Sequence, residues 1–253
     1  MKTFLDFFAV PDWFGRPEPY GASIERGVMV SICLFACIFL PILLKKKGED
    51  ATKKALLGLW ISALTLDVMK YIFYNAYCVV NHLEFSAFEL PLWTCSIYLF
   101  VLPISLFCKN QKVKDACNGF LCSISMIGGF INFLFPTESV FSFMGLHTLL
   151  YHFILLITPI IMLVTGYYKP KFHHFVGASS IFVLYGIPVF IFDNIFAQDY
   201  MFIYDGTWFG PMADFAALMP HRLVWTVVCV AGHIAVSAGI LYLAETLSEK
   251  QKA

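Results

Sequence analysis

Charge is what this sequence has least of: 13% of its 253 residues are Asp, Glu, Lys or Arg and 59% are hydrophobic, whereas a soluble domain carries about 25% charged residues. That deficit excludes an ordinary soluble fold. The formal net charge is zero and no long basic run is present, which excludes a nucleic-acid partner. None of the eight cysteines forms a CxxC pair, so no zinc site or disulfide framework is expected and the thiols read as small hydrophobes. Neither a metal nor a cofactor is called for by any motif. A cleavable signal peptide is not expected either, because Asp6 and Pro11 interrupt the first apolar stretch and no small-residue cleavage site follows. Internal repeats, low-complexity stretches and a separate soluble domain are absent too.

What is present is apolar and aromatic. Phe alone occurs 27 times. A spanning helix needs roughly 20 apolar residues, and seven segments qualify: about 27–44, 55–80, 90–108, 117–135, 145–166, 174–197 and 222–244. The fourth is the weakest, being short and containing Gly128, Gly129 and Asn132. Pro103, Pro159 and Pro188 fall within spans, where a missing backbone donor kinks a helix beside a neighbour. Lys and Arg set the orientation. Twelve of them lie in 45–54, 109–116, 167–173 and the tail, against four (Lys2, Arg16, Arg26, Arg222) on the opposite side. Positive-inside reasoning therefore gives an all-α polytopic membrane helical bundle with seven transmembrane helices, N-terminus outside and C-terminus cytoplasmic. Residues 1–26 form an interfacial N-terminal segment, 27–244 the seven-helix transmembrane domain and 245–253 a cytoplasmic tail. In the first of these, Phe4, Phe7 and Phe8 share a helical face and Trp13, Phe14 and Tyr20 suit the headgroup zone. With no organelle signal, the expected location is the cell membrane.

Ionisable groups inside spans are costly and therefore functional candidates. Counted from Leu90, Cys95 lies about 7 Å below the outer surface, and counted from Gly145, His152 lies about 10 Å below it. A thiol and an imidazole at matching depth suit nucleophilic chemistry, with the imidazole moving the thiol proton. The competing readings are packing for Cys95 and a structural hydrogen bond to Thr148 for His152. His147 and His233 are alternative imidazoles, His233 deeper at about 16 Å, whereas His173 and His174 read as interfacial. On the second span Asp67, Lys70, Tyr71, Tyr74 and Cys78 recur at helical spacing; Asp67 and Lys70, three apart, can pair. They either lock two helices together or line a cavity. At the outer end of the sixth span, Asp193 and Asn194 are placed to orient a histidine, while Asp205 and Asp214 read as solvated.

At these residues the chain resembles the YwaF-type / transmembrane protein 164 family of multi-pass membrane proteins. Leu90-Pro91-Leu92-Trp93-Thr94-Cys95 looks like that family's Leu-Pro-Leu-His-x-Cys motif, with Trp93 where the motif has His. Tyr151-His152-Phe153 stands where the family has a His-containing span. Asn194 followed by Asp199-Tyr200-Met201-Phe202 resembles its Asn and Asn-Tyr-Met-Phe, with Asp199 in place of Asn. The order and approximate spacing match over residues 55–220. The resemblance implies lipid acyl transfer, with Cys95 as acyl-accepting nucleophile and His152 as general base; Asp193, Asn194, Tyr200, Asp67 and Lys70 are supporting candidates. Membrane lipids would be the partners, a lysophospholipid and an acyl donor among them. Two other classes fit the residues: a transporter or lipid-handling channel, suggested by Asp67, Lys70 and the proline-broken helices, and a non-catalytic scaffold or sensor. A retinal protein does not fit, because the last span has no lysine.

Overall fold

A computed structural model describes residues 24–80, 90–134, 143–204 and 210–250. Phe4, Phe7, Phe8, Trp13, Phe14, Tyr20 and Asp205 lie outside the described residues. The described chain is helical, without a strand. In order come α1 (Ile24–Lys47), α2 (Glu49–Val80), a 3-10 turn (Thr94–Ser96), α3 (Ile97–Phe107), α4 (Gln111–Phe120), a π turn (Leu121–Ser125) and α5 (Met126–Leu134). There follow α6 (Phe143–Val164), α7 (His174–Phe196), a second 3-10 turn (Tyr200–Phe202), α8 (Gly210–Ala217) and α9 (Arg222–Lys250).

Five stretches among the described residues are long and apolar enough to cross a membrane: Arg26–Lys47, Glu49–Ala76, Phe143–Val164, His174–Phe196 and Arg222–Lys250. Large apolar side chains such as Ile32, Phe35, Ile38, Leu184, Ile191 and Val227 are exposed along them, a surface that suits lipid rather than water. Isolated polar groups in these helices bond inward. Ser31, Thr65, Ser180 and Thr246 each donate to a carbonyl four residues back at 2.7–2.9 Å, which removes the cost of facing hydrocarbon unpaired.

The third and fourth expected spans take other forms. Leu90–Trp93 is not helical, as suits a residue pair ending in Pro91. The apolar helix is therefore Thr94–Phe107, about 21 Å at the helical rise and short of a hydrocarbon core of about 30 Å. Helical geometry runs through the fourth region in three pieces. Its start is capped by Asn110, whose side chain accepts from Lys112 N at 3.0 Å and Val113 N at 3.4 Å, and its middle widens into the π turn. Prolines sit inside α3, α6 and α7 as expected, and Pro41 lies inside α1.

The chain divides into two compact units, one of residues 1–86 and 126–167, the other of 87–125 and 168–253. In the first, α6 is the enclosed helix and packs against α1, α2 and α5. Gly129 of α5 makes that approach close, since a Cβ there would stand 2.9 Å from the His152 carbonyl oxygen and 3.0 Å from Leu156 N. In the second, α4 packs along α7 and α3, and α9 packs on α7 and the π turn. Here Gly177 is the close approach, with its Cβ position 2.6 Å from the Ala116 Cβ. Ser123 on the π turn donates to the Gly119 carbonyl at 2.6 Å and lies 2.8 Å from the Ser237 hydroxyl of α9. Asn118 and Ser105 are hydrogen-bonded in the same interior.

Candidate functional site

Cys95 is the middle residue of the first 3-10 turn and is half-buried. Because Leu90–Trp93 is not helical, a depth count at helical rise from Leu90 does not apply to it; the thiol stands at the start of its helix. All eight cysteines are thiols, with no disulfide. The segment leading to Cys95 is held at three points by residues distant in sequence. The Leu90 N–H donates to the Tyr200 hydroxyl at 3.2 Å. Tyr185 donates from its hydroxyl to the Pro91 carbonyl at 2.6 Å. Trp93 meets Tyr200 edge to face, with ring centroids 5.1 Å apart, and lies 5.6 Å from the Phe202 ring. The two motif segments, 90–95 and 199–202, are therefore in contact, and the indole at the departure from the family pattern is their packing bridge.

The second motif is itself tightly tied. Met201 and Phe202 have φ of 59° and 57°, a left-handed conformation that side chains disfavour by roughly 1–2 kcal/mol per residue. The bonds that hold it come from α9: Trp225 Nε1 donates to the Phe202 carbonyl at 2.8 Å and the Thr226 hydroxyl to the Ile203 carbonyl at 2.7 Å. Asp199 is buried and accepts from Tyr204 N at 2.9 Å. Asp193 is also fully buried. Asn194 was a candidate for orienting a histidine, but its amide donates to the Phe190 carbonyl at 2.7 Å and its oxygen accepts from Arg222 at 2.6 Å. The same guanidinium donates to the Tyr204 hydroxyl at 2.6 Å. Tyr185, Arg222, Trp225 and Thr226 were not singled out as site residues by sequence reasoning, since their partners lie 18 to 94 positions away and leave no local pattern.

His152 belongs to the first unit. Its Nδ1–H donates to the Thr148 carbonyl at 2.8 Å, the bond anticipated as its structural role. That bond also selects a tautomer in which Nε2 keeps its lone pair, the form a proton acceptor needs. Its backbone lies against Gly129, so the imidazole hangs from a close contact between α5 and α6. Five residues earlier, His147 is buried. Asp67, Lys70, Tyr74 and Cys78 are buried on α2 and Tyr71 is half-buried, while Val68, Met69 and Ile72 between them are exposed. The stripe expected from helical spacing is thus one inward face. Lys70 Nζ is 3.9 Å from Asp67 Oδ1.

His233 and His174 are engaged elsewhere. His233 donates from Nδ1 to the Cys229 carbonyl at 2.9 Å and stacks on Phe182 at 4.6 Å; the same nitrogen is 3.8 Å from the Cys229 sulfur, but its proton is already directed at the carbonyl. His174 Nδ1 is 2.8 Å from the Tyr168 hydroxyl and its Nε2 3.9 Å from Asp115. Burial, with Cys122, Asp115 and Glu245 nearby, raises the Tyr168 phenol above its usual range. His173 and Asp214 are exposed. Among the described residues no group of three or more His, Cys, Asp or Glu could hold a metal ion.

The family model described as TMEM164 family matches residues 21–242. No curated protein and no solved structure matches the chain.

Proposed function

The chain belongs to the TMEM164 family, and from that premise we propose that it is a lipid acyltransferase or acyl hydrolase of the cell membrane using Cys95 and His152. The observation that carries the reading is the ordering of Cys95: a half-buried thiol on a short turn, braced by Tyr185, Tyr200 and Trp93. A nucleophile gains most from being held in place before the substrate arrives. The tautomer of His152 supports the second role.

In the proposed reaction His152 Nε2 takes the thiol proton and the Cys95 sulfur attacks the carbonyl carbon of a lipid acyl ester. A carbon–sulfur bond forms and the ester carbon–oxygen bond breaks; the departing lyso-lipid oxygen takes the proton from His152. The hydroxyl of an acceptor, a lysophospholipid or water, then attacks the thioester. A carbon–oxygen bond forms and the carbon–sulfur bond breaks; His152 receives the acceptor's proton, and the sulfur, leaving as thiolate, takes it back to become the thiol again. We propose seven spans, the N-terminus outside and the C-terminus in the cytoplasm, on the strength of the lysine and arginine asymmetry, with the non-helical Leu90–Trp93 segment, at roughly 3.3 Å per residue, supplying the length that Thr94–Phe107 lacks; the reacting turn then faces the outer leaflet. Cys95→Ala and His152→Ala should each abolish the difference in membrane lipid acyl composition between expressing cells and empty-vector cells. Variants indistinguishable from wild type against that difference would defeat the reading.

Transport is the second reading, favoured by the buried Asp67–Lys70 pair. Uptake by proteoliposomes that collapses with Lys70→Met while Cys95→Ala stays active would select it instead.

A further inference from the structure

In the first unit the described side chain with the least to satisfy it is His147. It is 7% exposed, and neither ring nitrogen has a hydrogen-bond partner among the described residues. Buried polar groups are nearly always paired, so an imidazole left open on both edges needs an explanation. Its ring is fixed by packing. Tyr151 stacks on it at 5.6 Å and 19°, and Phe143 lies 6.3 Å away. Rings take the flat of the imidazole and leave its nitrogens, which lie in the plane, available. Lys70 is buried on α2, one turn before Phe73. Phe73 and Phe143 meet at 4.8 Å and fix the register of the two helices at that level. Asp67 also faces Lys70, but at 3.9 Å the pair is longer than a hydrogen bond.

The cluster sits where α6 begins. His147 is four residues from Phe143, about 6 Å along the axis and so near one end of a stretch long enough to cross a membrane. We propose that Lys70 and His147 form a binding site for a phosphate group, supplied by the headgroup of a phospholipid. Phosphate oxygens accept several hydrogen bonds at once, and an ammonium with an imidazole N–H supplies them in the form that is strongest when one partner is charged. Asp67 balances the ammonium and keeps the buried cluster near neutrality before an anion binds. As the means of holding a substrate the site rests on the acyl-transfer reading; as a binding site it stands whether or not Cys95 reacts.

The test uses the purified full chain in detergent, with bound molecules counted by native mass spectrometry. The probes are phosphatidylglycerol, diacylglycerol of the same acyl chains, and inorganic phosphate. Wild type and Cys95→Ala should both retain phosphatidylglycerol at least tenfold better than diacylglycerol. Lys70→Gln and His147→Gln should each lose about tenfold of that retention, Lys70→Arg should keep most of it, and the exposed-lysine control Lys45→Gln should keep all of it. Displacement of the lipid by millimolar phosphate supports the site and shows that free phosphate can also fill it; no displacement assigns it to lipid alone. A preference below tenfold in wild type overturns the proposal, and so does retention in both Gln variants equal to wild type. If those variants do not fold, the wild-type comparison of the two lipids decides.

Discussion

Among the described residues, three without glycine's freedom adopt positive φ: two in a turn and one at a helix end. Met201 and Phe202 do so in the turn that braces Trp93, where Trp225 and Thr226 bond the adjoining carbonyls. Strain of that kind persists where surrounding contacts over-determine it and gathers at working sites. Ala197 closes α7 at φ 51°, ψ 44° and is exposed. It occupies the left-handed position that helix ends reserve for glycine. Ala197→Gly should therefore raise the stability of the purified protein by about 1 kcal/mol, seen as a higher midpoint in a thermal melt with lipid binding unchanged. A lower midpoint would mean that the alanine methyl does something the geometry does not reveal.

Between elements, two close helix contacts depend on missing side chains. A methyl at Gly177 would stand 2.6 Å from the Ala116 Cβ, and one at Gly129 would stand 2.9 Å from the His152 carbonyl oxygen, whereas one at Gly128 would meet no other element within 4 Å. Gly177→Ala should cost about 1–3 kcal/mol by forcing α4 from α7, and Gly128→Ala should be tolerated; paired thermal melts check both. Equal melting of the two variants would contradict the packing described. The five long helices were legible because each is a near-continuous apolar run with polar punctuation. The third and fourth regions were less so. Hydropathy does not register that Leu90–Trp93 leaves the helix, because Pro91 and its neighbours are as apolar as the span that follows. Nor does it register the π turn, whose Ser123 is explained by Gly119 and by Ser237, 114 residues away.

For the whole molecule, membrane residence follows from composition and from five long apolar helices, while activity follows from a few polar groups and from kinship. The resemblance visible in two short motifs extends over residues 21–242. What the motifs could not show is that 90–95 and 199–202 touch, because contact across 110 residues leaves no periodicity to read. The stripe on α2 was readable for the opposite reason: helical spacing alone places Asp67, Lys70, Tyr74 and Cys78 on one face. The account turns on Cys95 being an acyl carrier. Intact-protein and peptide mass spectrometry of the chain purified from membranes, with and without neutral hydroxylamine, tests this most directly. The account predicts an acyl mass on the Cys95 peptide of the wild-type chain that hydroxylamine removes, and that is lost in His152→Ala, where nothing takes the thiol proton. An unmodified Cys95 in both proteins, with wild-type lipid remodelling retained by Cys95→Ala, would contradict it.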